Sequence, residues 1–200
     1  MNALTTSVAT AALMLSFSGA AQAHLTVFQG TFAPEAPGAT GSGTLMLEYD
    51  HDGHTLLIDA VWSGLSGTTT NAHIHCCTAS PGSGTAGVAL ARSDVQPNIL
   101  PNFPLGITSG SYQKVIDLTS TSNYSNTFLA NSGGTAAGAE ARLIANLTTQ
   151  NAYFNIHTST FGGGEIRAFV TAVPEPSTWI SMLRGLGLVG GIVRRRVCVS

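Results

Sequence analysis

From His24 onward, apolar and polar positions alternate for much of the chain. Leu45, Leu47 and Tyr49 alternate with Thr44, Met46 and Glu48. Asp50-His51-Asp52-Gly53 then supplies turn chemistry, and His54 to Trp62 reads as the returning strand of a hairpin. Residues 71–76 predict another strand, and 85–91 a short one behind the turn at Pro81-Gly82-Ser83-Gly84. Residues 93–110 are rich in proline and lack periodicity, which predicts a long loop, and Tyr112 to Leu118 predicts a strand. The period then changes. Glu140, Leu143, Ile144 and Leu147 sit at helical spacing, so a short amphipathic helix is expected within 135–149. Strand character returns at Ala152 to Thr158, and Gly162-Gly163-Gly164 turns the chain into Glu165 to Val170. Seven or so short strands with one helix in a connection predict a mainly β fold, an antiparallel Greek-key β-sandwich.

The two ends follow different rules. Val8 to Phe17 is apolar, small residues follow, and Ala21-Gln22-Ala23 forms an Ala-x-Ala site. This is the pattern of a secretory signal peptide, cut by signal peptidase before His24. At the other end, Val173-Pro174-Glu175-Pro176-Ser177-Thr178-Trp179 leads into an apolar stretch, Ile180 to Val193, and then Arg194-Arg195-Arg196. Fourteen helical residues reach only about 21 Å, short of the ~30 Å hydrocarbon core. The stretch therefore reads as a transient membrane anchor, with the arginines on the cytoplasmic side. The order Pro174-Glu175-Pro176, apolar helix, arginine cluster resembles the PEP-CTERM sorting signal of Gram-negative bacteria. That resemblance implies processing by an exosortase-type enzyme in cells that make exopolysaccharide. Arg184 within the stretch and the extra Val197 to Ser200 depart from the usual pattern. The expected organisation is a signal peptide at 1–23, a β-sandwich at 24–172 and a sorting tail at 173–200.

Charge narrows the function. Only 9% of residues are charged, and Arg184, Arg194, Arg195 and Arg196 all lie in the tail. Residues 24–172 keep Arg92, Lys114, Arg142 and Arg167 against nine acidic residues, a net −5. Such a domain has no cationic surface for phosphate backbones, which excludes nucleic acid as a partner.

Two segments carry candidate chemistry: Ala72-His73-Ile74-His75, and Tyr153 to Thr158 followed by Phe161-Gly162-Gly163-Gly164-Glu165-Ile166-Arg167. Together they resemble the CHRD domain, named from the extracellular developmental protein chordin, over about residues 25–171. The resemblance implies an immunoglobulin-like or superoxide-dismutase-like β-sandwich and implies no particular activity. From the residues themselves, His73 and His75 lie two apart on a strand and share a face. With His157 from a neighbouring strand they offer three imidazoles to Zn²⁺ or Cu²⁺, and Glu165 is a candidate fourth ligand or outer partner. The other reading is a buried hydrogen-bonded network of these histidines with Asn155, Glu165 and Arg167 that fixes strand register and requires no cofactor. A copper/zinc superoxide dismutase is excluded, because its metal pair needs more ligands than six histidines provide when His24, His51 and His54 fall at the N-terminus or in a turn. His24, once N-terminal, offers its amine and ring to copper, but such a brace needs a second histidine that the sequence does not identify.

Cys76 and Cys77 are adjacent. In an oxidising compartment they form a vicinal disulfide, or they face opposite sides of a strand with one thiol buried. No nucleophile elbow, paired catalytic carboxylates or phosphate-cradling loop is present. The expected function is a non-enzymatic binding or structural module at the cell surface, associated with exopolysaccharide or surface proteins. The alternative is a metal-binding or redox protein built on His73, His75 and His157.

Overall fold

Alternation becomes an eight-stranded antiparallel sheet in the computed structural model, which describes residues 24–95 and 98–174. The strands are β1 (Leu25–Pro34), β2 (Ser42–Asp50), β3 (Thr55–Ser63), β4 (Thr69–Cys76), β5 (Val88–Leu90), β6 (Gly110–Asp117), β7 (Ala152–Thr158) and β8 (Ile166–Val173). Their order in space is β5-β4-β7-β8-β1-β2-β3-β6. The chain passes between the two halves of this sheet three times, from β3 to β4, from β5 to β6 and from β6 to β7. The two layers of the expected sandwich are thus two halves of one curled sheet joined at β8, which pairs with β7 on one side and β1 on the other.

The alternation sets what each half buries. In β2 and β3, Leu45, Leu47, Leu56, Ile58, Ala60 and Trp62 are buried, and they pair as the hairpin with Asp50 opposite Thr55. From the other half come Ala72, Ile74, Phe154, Ile156, Ala168 and Val170. The halves meet through aromatic rings. Phe32 of β1 approaches Phe154 of β7 edge-on at 5.6 Å, and Phe103 stacks on Trp62 at 5.3 Å. Phe103 comes from the long loop expected at 93–110. That loop is pinned by burial of Leu100 and Phe103 and by hydrogen bonds from Thr69 Oγ1 to the Pro104 carbonyl and from the Tyr112 hydroxyl to the Pro101 carbonyl.

The expected helix is α2 (Ala136–Thr148). Thr135 caps it by accepting from the Gly138 amide, and its buried face is Ala139, Glu140, Leu143 and Leu147. A single-turn helix, α1 (Asn126–Ala130), precedes it, capped by Ser125. Glu140 is unusual on such a face. It accepts from the Tyr49 hydroxyl at 2.6 Å and from His54 Nδ1 at 2.9 Å, so α2 is latched to the β2–β3 hairpin by polar groups as well as apolar ones.

No helix among the described residues is long and apolar enough to cross a membrane. The signal-peptide segment 1–23 lies outside the described residues, as do Glu175, Pro176, Arg194, Arg195 and Arg196 of the sorting tail. Pro174 is described and stands exposed at the end of β8.

Candidate metal centre

The register of β4 against β7 assembles the site. His73 pairs with Asn155, His75 with Tyr153 and Asn71 with His157. Because Ile74, Phe154 and Ile156 point into the core, the intervening side chains share the opposite face. That face is not open to solvent. The segment after β4 folds over it, so that His73 and His75 are only 6% and 9% exposed. His75 also stacks flat on Tyr153, with centroids 4.9 Å apart and planes at 6°.

His73, His75 and His157 are brought together, each offering one ring nitrogen within 4.8 Å of the other two. His73 Nδ1 lies 3.2 Å from His75 Nε2 and 3.3 Å from His157 Nε2. Nitrogen ligands held at ~2.0–2.1 Å in a tetrahedron are separated by about 3.3–3.4 Å, so these spacings match one divalent ion.

The far nitrogens decide the tautomers. His75 Nδ1 sits 2.8 Å from the Ala86 carbonyl and His157 Nδ1 sits 2.9 Å from the Gly162 carbonyl. A carbonyl can only accept, so both Nδ1 atoms carry the proton and donate it. In the neutral rings, Nε2 of each then presents a lone pair toward His73. A proton on His73 Nδ1 can bridge to one of those lone pairs but not to both. Burial, reinforced by repulsion from His157 and His75, pushes His73 down to about 3, and burial likewise lowers His75. At neutral pH both rings are therefore uncharged, the form that ligates a metal.

Around the triad runs a polar network whose key member escaped the sequence. Glu35, just after β1, accepts from Asn155 Nδ2 at 3.1 Å and lies 3.5 Å from Arg167 Nη1. Arg167 also donates to the Gly84 carbonyl at 2.7 Å and lies over the Tyr153 and Phe169 rings. Asn155 faces His75, whereas Arg167 reaches the network through Glu35 and touches no histidine. Only the distance along the chain hides Glu35, since nothing periodic marks a lone glutamate after Pro34.

Glu165 is not brought to the three rings, which corrects its reading as a ligand or outer partner. It precedes β8, so strand alternation does not govern its direction. Its fully buried carboxylate accepts from the Ser66 amide at 2.6 Å, the Thr158 hydroxyl at 2.6 Å and the Gly67 amide at 3.3 Å. Burial pushes its pKa up, but those hydrogen bonds outweigh it and hold the carboxyl below the usual range. It ties the β3–β4 connection to the β7–β8 turn.

Cys76 and Cys77 are joined to each other by a disulfide and offer no thiolate to a metal. His24 does have a histidine neighbour, His51, at 4.4 Å between centroids, but His51 Nε2 is engaged with Thr26 Oγ1 at 2.8 Å. On its other flank His73 borders a cleft of about 600 Å³, whose walls include Asn71, Phe128, Asn131 and Arg142.

Comparison with known proteins adds two matches. The family model described as "CHRD domain" matches residues 18–170, and that described as "PEP-CTERM protein-sorting motif" matches residues 172–197. No curated protein and no solved structure is matched by the chain.

Proposed function

Because this chain belongs to the CHRD domain family and carries a PEP-CTERM motif that marks it for exosortase-type sorting at a Gram-negative cell envelope, we propose that it is a non-enzymatic surface module whose His73, His75 and His157 bind one zinc or copper ion. In this reading signal peptidase removes residues 1–23, residues 24–172 form the module, and residues 173–200 anchor it transiently until an exosortase acts near Pro174-Glu175-Pro176.

The observation that carries the metal reading is the convergence of three imidazole nitrogens, two of them forced to present lone pairs by the carbonyls of Ala86 and Gly162. Outer partners of that kind orient metal-ligating histidines. Three imidazoles suit zinc, and copper(II) binds the same donors more tightly.

The test is elemental analysis of the full chain, exported to the periplasm of a Gram-negative host and purified without chelator, beside a His73→Ala/His75→Ala variant. One equivalent of zinc or copper is expected in the parent and none in the variant. Metal at 100 times its dissociation constant stabilises by about 2.7 kcal/mol, so a chelator should lower the parent's Tm by roughly 5–10 °C. A metal-free parent whose melting ignores chelators would reduce the histidines to register-fixing hydrogen-bonders.

We propose further that the module associates with exopolysaccharide, a reading supported by the cleft beside His73. Asn71 and Asn131 offer amides and Arg142 a cation held over the buried Phe128 ring, the groups that meet hydroxyls and uronate carboxylates. Arg142→Ala is expected to weaken retention on the host's exopolysaccharide at unchanged metal content.

A further inference from the structure

We propose that Asn155 Oδ1 is the fourth ligand of the metal held by His73, His75 and His157, and that Glu35 is the residue that positions it. This inference rests on the metal-binding reading above and completes its ligand set.

Hydrogen-bond accounting leads to it. Asn155 is 1% exposed, and its side chain lies between Glu35 on one side and His75 on the other. A carboxylate only accepts, so the atom 3.1 Å from Glu35 Oε2 is the amide nitrogen, Nδ2. The amide oxygen must then be the atom facing His75 Nε2, at 3.1 Å. That nitrogen has no proton to give, because the proton of His75 is on Nδ1 and goes to the Ala86 carbonyl. Two acceptors therefore face each other in a buried place. A hydrogen bond cannot hold them so, but a shared cation can. His157 Nε2, His73 Nδ1, His75 Nε2 and Asn155 Oδ1 make a set of three nitrogens and one oxygen in which each atom neighbours the next. The three spacings among them of 3.2, 3.3 and 3.1 Å are those of ligands on one small ion.

Glu35 does not touch the metal position and acts through Asn155. Arg167, opposite Asn155 in the β7–β8 register, stands beside Glu35 and holds its charge in place. Gly164 provides the room. Its φ is +124°, and a Cβ there would overlap Glu35 Oε2 and lie 2.6 Å from Asn155 Nδ2.

Co²⁺ is the probe, since its visible bands are intense in four-coordinate sites and weak in six-coordinate ones. The full exported chain, stripped of metal, is titrated with Co²⁺ as the parent, Asn155→Ala, Asn155→Asp and Glu35→Gln. The parent is expected to take one equivalent with intense four-coordinate bands. Asn155→Ala should lose at least tenfold in affinity and shift its bands as water takes the vacated position. The isosteric Asn155→Asp keeps an oxygen at that position and should keep the four-coordinate bands, which separates ligation from folding. Glu35→Gln should cost about 10–100-fold in affinity, the range for outer-shell partners, with a shifted spectrum. A parent that binds Co²⁺ with a spectrum and affinity unchanged in Asn155→Ala would overturn the fourth ligand while leaving the triad intact. A parent that takes up neither Co²⁺ nor Zn²⁺ would overturn both readings.

Discussion

A single residue without a side chain, Gly164, shows how closely the residues around the histidines depend on one another. Its positive φ and the contacts awaiting a Cβ mean that Gly164→Ala must displace Glu35, Asn155 or both. We expect that substitution to destabilise by about 1–3 kcal/mol and to weaken metal binding, measured by thermal melting and competitive zinc titration. Glu165, one position on, gives the opposite pattern. Glu165→Gln removes a buried charge from the Ser66, Gly67 and Thr158 donors and should lower the Tm at full metal content. Because its folded pKa is depressed below 4.5, the stability it provides is present above that value and is lost as pH falls through the folded pKa. The Tm difference between parent and Glu165→Gln should therefore be greatest near neutrality and shrink in acid. These two neighbours also show what a sequence hides at this scale. His73, His75, His157, Asn155 and Arg167 can be placed on one face by counting in twos, but counting fails at Glu165 because the strand begins only at Ile166. No count reaches Glu35, whose partner Asn155 is 120 residues away.

Among the elements, the β2–β3 hairpin, β4, β6, β7 and α2 were legible because their apolar positions keep a strict period. β1 was not. Its buried positions are Phe28 and Phe32, and Gly30 sits between them where a third apolar residue would have completed the alternation. A side chain at Gly30 would collide with the Phe169 carbonyl of β8, so the close approach of two strands is what erased the signal. The latch of α2 on the hairpin carries its own pH dependence. Glu140 raises the pKa of His54 above 6.5, first through their hydrogen bond and then through its charge. A raised folded pKa means that the stabilisation is complete below the unfolded value and disappears as pH climbs through the folded one. Asp50 and Asp52 also face His54 and act in the same direction. We expect His54→Gln to melt below the parent at pH 5.5 and together with it at pH 9, by differential scanning calorimetry at matched ionic strength. A constant gap across that range would assign His54 a role independent of its charge.

On the scale of the whole molecule, one curled sheet replaces the two separate sheets of a simple sandwich, and β8 is the strand on which it turns. Sequence periodicity gives the number of strands and their order in the chain but contains no information on which strand closes the curl. That follows from long-range pairing, β1 with β8 across some 140 residues. The core that results is joined by the Phe32–Phe154 and Trp62–Phe103 contacts between halves, and Phe154→Ala should cost about 3–5 kcal/mol. Phe154 lies on β7 between Tyr153 and Asn155, so the same substitution is expected to loosen the histidine cluster on the reverse side of the strand.

β8 also runs from the level of the histidines to the sorting motif. Val173, at its end, leads directly into Pro174, where the sorting motif begins, while Arg167 lies level with Asn155 and the histidines. Six residues of extended strand separate the two levels, a distance of about 20 Å. A tether beyond Pro174 would hold one pole of the module toward the membrane, and the histidine cluster would stand about two helix diameters above it, within reach of whatever the cell's surroundings bring.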